Sequence, residues 1–331
     1  MPLETCFIRR TLLPIPPVAA RVAGILDRVE LSASDGVLTL QASERGIPVN
    51  SGHVSLPQHL LDELDWPAGA VVEVHSGDGG VLRVLKSRDL LSTDYVTYDR
   101  GVAVPPGWLM QTVVGSPSAE NFIHSSHSIA AMIVDAATPH ISDRATWRIL
   151  DFGCGCGRLS RALPLYHQSE IVGCDLQVSA INWCNQWLDG TFFVGRQSPP
   201  LPLPDSEFDL LVAISVLTHL SEEDQDAWLG EWSRVTRPGG ILFVTFRSEA
   251  YLQLSEPDRL KAVQSGWART GGIAYSRSDY WVEVFPEYYG STYHSEKYVR
   301  SHWQRYFDVL DIVPARRGSL LQDVAILRAR R

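Results

Sequence analysis

The sequence predicts an α/β protein built on a doubly wound, mostly parallel sheet. Two patterns carry this expectation. From residue 147 onward, short apolar runs alternate with amphipathic segments in a βαβ rhythm, and the first run leads into a glycine-rich turn, Gly153-Cys154-Gly155-Cys156-Gly157. Size agrees: 331 residues, 45% of them hydrophobic, suffice for one large core plus a smaller domain.

The strands expected in the large domain are 148–152, 170–175, 191–194, 208–215 and 240–246, with two late ones at 307–313 and 322–328. An amphipathic helix is expected from residue 118, with Phe122, Ile129, Met132 and Ile133 at helical spacing. Residues 1–100 read differently. Short β-like runs at 37–41, 71–75 and 81–85 are broken by Ser-Asp-Gly and Gly-Asp-Gly-Gly turns, with one helix at 58–64. This predicts a small β-rich domain. Residues 101–117, with Pro105, Pro106, Gly107, Gly115 and Pro117, read as a linker, which leaves 118–331 as the main domain. Within residues 1–100, segment 52–74 resembles the repeated half of the AbrB-type swapped-hairpin transcription factors. DNA-binding members of that family grip phosphates with basic strands, whereas this region is net acidic, so the expectation is an accessory or dimerisation domain.

Charge narrows the partners. The net charge of -9 opposes non-specific attraction to nucleic acid or to an anionic membrane, and residues 101–250 alone hold 16 acidic against 8 basic side chains. The longest apolar run, about eight residues from Leu210 to Leu217, is far short of the roughly 20 that cross a bilayer. Pro14, Pro16, Pro17 and Arg21 interrupt any export signal near the start. Four of the five cysteines (Cys154, Cys156, Cys174, Cys184) fall in one short region rather than in a disulfide framework, so a reduced, cytoplasmic protein is expected. One residue separates Cys154 from Cys156, where structural zinc sites more often space their pairs by two to four, and no metal is expected.

The glycine spacing is the sharpest signal. Glycines stand where a backbone turns tightly and a ligand approaches without Cβ atoms in the way. A dinucleotide fingerprint starting at Gly153 would put its last glycine at position 158, which is Arg158. The observed Asp-x-Gly-x-Gly-x-Gly pattern instead resembles motif I of the class I S-adenosylmethionine-dependent methyltransferases. Asp175 ends the next strand 18 residues past Gly157. Phe208-Asp209 opening the fourth strand and Arg237-Pro238-Gly239-Gly240 leading into the fifth are similar to the same family. The resemblance implies a Rossmann-like sheet of seven strands with the last antiparallel, and S-adenosyl-L-methionine as cofactor. It also implies that Asp151, Gly153, Cys154, Gly155 and Gly157 cradle the amino-acid end of the cofactor. Asp175 would hold its ribose, Leu176 would cover the adenine, and Gln197 would stand in for the acidic or Asn residue often found after the third strand.

A hydroxyl acceptor benefits from a nearby base, and His219, just past the fourth strand, is the first candidate, with His294 the second. Between Tyr251 and Trp303 lie 11 of the chain's 31 aromatic residues. Residues 251–293 thus read as an insertion that covers the acceptor site, with Trp281, Tyr289 and Tyr293 as candidate acceptor contacts. Asp323, opening the last strand, is a further candidate. The same aromatics would also serve core packing or the contact of a homodimer. The expected activity is methyl transfer to a small molecule or glycan, at a hydroxyl oxygen. The alternatives are a macromolecule-directed methyltransferase or DNA-associated regulator that uses the N-terminal domain, and a non-catalytic cofactor-binding scaffold.

Overall fold

The fold is described from a computed structural model, over residues 4–7, 12–15, 17–50, 53–66, 71–77, 79–86, 97–115, 118–141, 144–277, 290–316 and 320–330. It divides into two compact units. One runs to Thr97 and includes Val104–Ala119, and the other takes Tyr98–Ala103 and the main body of the chain from Glu120 onward.

The first unit is an eight-stranded sheet whose neighbouring strands all pair antiparallel. Its strands at Val37–Ala42, Val71–Ser76 and Val81–Lys86 lie where the β-like runs predicted them. The helix Gln58–Leu64 starts after Pro57 and stops at Asp65 in a left-handed conformation. It buries Leu60, Leu61 and Leu64 in a core that contains Val29, Leu38, Leu40, Val72, Val74, Leu82 and Val84. Alternation along Val37–Ala42 turns Leu38 and Leu40 inward. The stretch expected as a linker contains the strand Val102–Val104 and the helix Gly107–Val114.

The second unit carries a seven-stranded sheet: β1 (Trp147–Phe152), β2 (Ser169–Asp175), β3 (Thr191–Val194), β4 (Phe208–Ala213), β5 (Thr236–Phe246), β6 (Phe307–Val313) and β7 (Asp323–Ala329). The spatial order is β3-β2-β1-β4-β5-β7-β6. Pairs among β1 to β5 are parallel, and β7 runs antiparallel to both β5 and β6. This is the Rossmann-like arrangement of seven strands with a reversed last strand. All six residues of β4 are buried, as expected of a central strand covered on both faces.

Helices α1 (Ala119–Ala137), α2 (Val178–Trp187) and α3 (Glu222–Val235) belong to this unit. Helix α3 shows why these residues form a helix. Ser221 caps it by accepting from the Asp224 N–H, Glu222, Glu223 and Asp224 meet the positive end of its dipole, and Trp228, Leu229, Trp232 and Val235 make one buried stripe. Phe152 packs 4.6 Å from the Trp228 ring and 5.2 Å from Trp232, and Phe246 packs 5.8 Å from Trp303. At the opposite edge of the strands, Asp209 is 1% exposed. It accepts from the Arg148 N–H at 2.7 Å and pairs with Arg237 and Arg144. The Phe-Asp signature is therefore a clamp on the entry of β4, remote from the strand tips.

Beyond β5 come α4 (Glu249–Ser255) and α5 (Leu260–Thr270), then a two-stranded ribbon of Ile273–Arg277 and Gly290–His294, and α6 (Glu296–His302). Leu252, Val263, Trp267 and Tyr293 form a small core there. No helix among the described residues is long and apolar enough to cross a membrane.

Candidate active site

The site grows from the turn after β1. Gly153, Gly155 and Gly157 have φ of +74°, +53° and +80°, which side chains with a Cβ adopt at a cost. A Cβ at Gly157 would sit 2.3 Å from Leu188 Cδ1 and 3.2 Å from Cys184 Sγ. The N–H groups of Gly153 and Cys154 both donate to the Cys174 carbonyl at the end of β2, at 2.8 and 3.0 Å, which draws the turn across two strand tips. Cys154, Cys156, Cys174 and Cys184 are buried free thiols beneath it. Burial keeps Cys156 and Cys174 protonated and inert, and the Cys184 hydrogen bond with burial does the same for Cys154. Replacing Gly157 by alanine is expected to destabilise this unit by about 2 kcal/mol or more, seen as a lower urea midpoint at unchanged slope.

The sequence leads one to expect a helix directly after the turn. Residues 158–166 instead form successive turns ending in a 3₁₀ turn at Leu163–Leu165. Pro164 lacks the N–H that a continuous helix would use there. This segment is anchored by Arg161, whose side chain is fully buried. It pairs with Asp99 and donates to the Val102 and Ala103 carbonyls. Burial works against the Asp99 charge, but hydrogen bonds from His127 and Arg161 hold its carboxyl below the usual range. Residues 98–103 thus belong with the turn they support, although their sequence gave no sign of it.

Two carboxylates flank the turn. Asp175 at the tip of β2 accepts from the Gly155 N–H on one oxygen and from the Gln177 N–H on the other, both at 2.8 Å. Burial raises its pKa, opposed by these N–H donors. Asp151 is 3% exposed and accepts from Ser160 Oγ at 2.6 Å. Burial pushes it up to about 6, against the pull of Ser160 and the Arg158 guanidinium. Arg158 is itself half-buried, with an Nε that has no hydrogen-bond partner among the described residues.

Beside Asp175, Leu176, Val178 and Val194 are 38%, 55% and 46% exposed. Apolar side chains open to solvent around a half-buried carboxylate fit an adenosyl group, whose ring they would cover while the carboxylate keeps lone pairs for ribose hydroxyls. Gln197 is exposed beyond the end of β3.

On the other side of β1, the tips of β4 and β5 carry strained and polar residues. Ser215 is held at φ +61°. Its N–H donates to Thr245 Oγ1, and its Oγ accepts from Gln322 Nε2. His219 ends a 3₁₀ turn, and its Nδ1–H donates to the Gly290 carbonyl at 2.8 Å. This fixes the tautomer with the lone pair on Nε2. Burial, together with the nearby Arg247 charge, lowers the His219 pKa to about 3.

Three expected site residues take other places. His294 is 0% exposed, ringed by Phe246, Tyr298 and Trp303. The Gln225 amide donates to the Leu217 and Leu220 carbonyls, so its oxygen must accept from His294 Nε2–H at 2.9 Å. His294 is a core residue that no acceptor reaches. Tyr293 is 3% exposed and donates its hydroxyl to Glu256 while accepting from Arg259. Asp323 is 2% exposed, and its oxygens accept from the Ser248 and Ala315 N–H groups, so it ties β7 to the start of α4. Trp281 and Tyr289 lie outside the described residues. Among the described residues no three His, Cys, Asp or Glu side chains are grouped to hold a metal.

A glycine turn at the tip of a central parallel strand, with a carboxylate on the neighbouring tip, defines an α/β domain built to hold a nucleoside. Residues 149–240 match the protein family described as methyltransferase domain. The chain is 33% identical over 118 residues to an uncharacterized methyltransferase of Schizosaccharomyces pombe, covering 30% of this chain and 39% of that one. It is 26% identical over 167 residues to the 27-O-demethylrifamycin SV methyltransferase of Amycolatopsis mediterranei, covering 44% and 60%. It is 30% identical over 104 residues to the malonyl-(acyl-carrier protein) O-methyltransferase of Yersinia pestis, covering 31% and 38%. The matches thus span between 38% and 60% of these relatives' lengths. Through residues 149–240 the chain is similar to this methyltransferase family.

Proposed function

We propose that the protein is an S-adenosylmethionine-dependent methyltransferase that methylates a hydroxyl oxygen of a small molecule or glycan. The observation that carries this reading is the Asp175 carboxylate, fixed 2.8 Å from the Gly155 N–H between the glycine turn and an exposed apolar patch. When bound, S-adenosylmethionine supplies a methyl group on a sulfonium, electrophilic without a metal. In this reading Asp175 binds the ribose, the turn backbone with Asp151 receives the amino-acid end, and Leu176, Val178 and Val194 line the adenine.

Positioning then supplies most of the rate. His219 contributes by orientation rather than by storing a proton. With Nδ1–H fixed on the Gly290 carbonyl, the ring's lone pair stands on Nε2, and a pKa near 3 keeps the ring neutral and a weak base. Two of the relatives support oxygen as the target, since their names describe O-methylation.

Calorimetry with S-adenosylmethionine, S-adenosylhomocysteine and NAD tests the reading. Saturable binding of both sulfur nucleotides and none of NAD is expected, followed by transfer of labelled methyl to members of a hydroxyl panel. A folded protein that binds neither sulfur nucleotide refutes it.

A further inference from the structure

At the tips of β4, β5 and β7 and in the ribbon strand whose His294 N–H donates to the Arg247 carbonyl, buried polar atoms lack partners among the described residues. They are Thr218 Oγ1, Arg247 Nε, His294 Nδ1 and Gln322 Oε1. Native proteins leave few such atoms unpaired, so this cluster calls for a reason. Arg247 is the charged member. It follows the last residue of β5, and its guanidinium lies 5.4 Å from the centre of the Tyr251 ring and 5.8 Å from that of Tyr293.

The nearest carboxylate chemistry is already committed elsewhere. Glu256 accepts from the hydroxyls of both Tyr251 and Tyr293 and pairs with Arg259. Asp323 is held by backbone N–H groups. Among the described residues no carboxylate forms an ion pair with Arg247, and its guanidinium makes one hydrogen bond there, a long one to the Thr218 carbonyl, 3.5 Å. Thr218 precedes His219, so the guanidinium lies beside the residue proposed to orient the acceptor.

We propose that the acceptor carries a carboxylate and that Arg247 binds it next to His219. The proposal rests on the methyltransferase reading and names the substrate class for it. A guanidinium presents paired donors that match the two oxygens of a carboxylate, and its Nε is among them. Two tyrosine rings, tilted 45° to each other, flank the cation without neutralising it. The surrounding histidines are neutral, so the local excess is one positive charge, which suits a monoanion better than a phosphate dianion.

The test uses the full chain saturated with S-adenosylhomocysteine, titrated with a panel of hydroxy acids, each beside its primary amide and the matching phosphate monoester. The acids are expected to bind about tenfold more tightly than their amides, and Arg247→Gln is expected to erase that preference. Arg247→Lys keeps the charge and is expected to retain part of it. S-adenosylhomocysteine affinity is expected to be unchanged in both variants, which also reports that they fold. Equal binding of acids and amides, preference for the phosphates, no binding by any panel acid, a preference that survives Arg247→Gln, or loss of S-adenosylhomocysteine binding in both variants overturns the proposal. Failure of the wild type to bind S-adenosylhomocysteine is a separate result and overturns the underlying reading instead.

Discussion

Replacing Asp175 by alanine is expected to lower S-adenosylhomocysteine affinity by about a hundredfold or more. Two hydrogen bonds from ribose hydroxyls to one carboxylate are each worth about 1.5–3 kcal/mol, and 1.4 kcal/mol is a factor of ten. The loss has a second source. Asp175 also accepts from the Gly155 and Gln177 N–H groups, so truncation frees the glycine turn that forms the other wall of the same site.

The two sources separate in Asp175→Asn. Asparagine keeps one acceptor oxygen and the side-chain length but loses the charge and replaces the other oxygen with a donor. It is expected to preserve most of the turn and still bind much more weakly than wild type. Calorimetry reads the affinity, and the unfolding midpoint reads the turn. An alanine variant that binds within severalfold of wild type would sink the ribose role of Asp175.

The sheet was legible because its strands are buried on both faces and therefore read as continuous apolar runs. β4, with all six residues buried, is the plainest case. The glycine turn was legible because three closely spaced positive φ values leave little choice but glycine. Asp175 followed from its distance along the chain. Side-chain destinations beyond β5 were not legible. Tyr293 and His294 are adjacent in a ribbon strand, yet both turn into packed surroundings, because Glu256 just past α4 and Gln225 in α3 offer partners. Those partners lie 37 and 69 residues away.

Arg247, Ser215 and Gln322 were missed for the same reason. Arg247 in Phe-Arg-Ser looks like any charge at the end of a strand, and only the fold shows that no described carboxylate pairs with it. Ser215 carries one usable clue, its place at the exit of an apolar run. The strain at φ +61° is set by Thr245 and Gln322 from neighbouring strands. Residues 98–103 gave no clue either, since what binds them to this unit is the Arg161 guanidinium 62 positions from Asp99.

Acid is expected to unfold the second unit through its buried histidines. Burial lowers His294 from 6.5 to about 3, with the Arg247 and His302 charges adding to the shift, and His219 moves in the same direction. As pH falls below 6.5 the unfolded chain takes up these protons and the folded chain does not, so stability that is fully present above 6.5 is lost progressively toward 3. Asp151 has the opposite sign. Its folded pKa of about 6 exceeds the ordinary 3.8, so between those values the folded state holds the extra proton and gains relative to the unfolded one. One histidine is therefore masked by Asp151 in that window, and a wild-type curve alone would understate the effect. Comparison with His294→Gln removes the masking, because glutamine keeps an N–H donor for the Gln225 oxygen and cannot titrate. Whatever offset the substitution has at pH 7, the wild type is expected to lose about 1.4 kcal/mol more than the variant per pH unit below 6. Urea unfolding at pH 7, 6, 5 and 4 measures this. Parallel curves for the two proteins would show that His294 titrates normally, and hence that water reaches a ring the fold places beyond it.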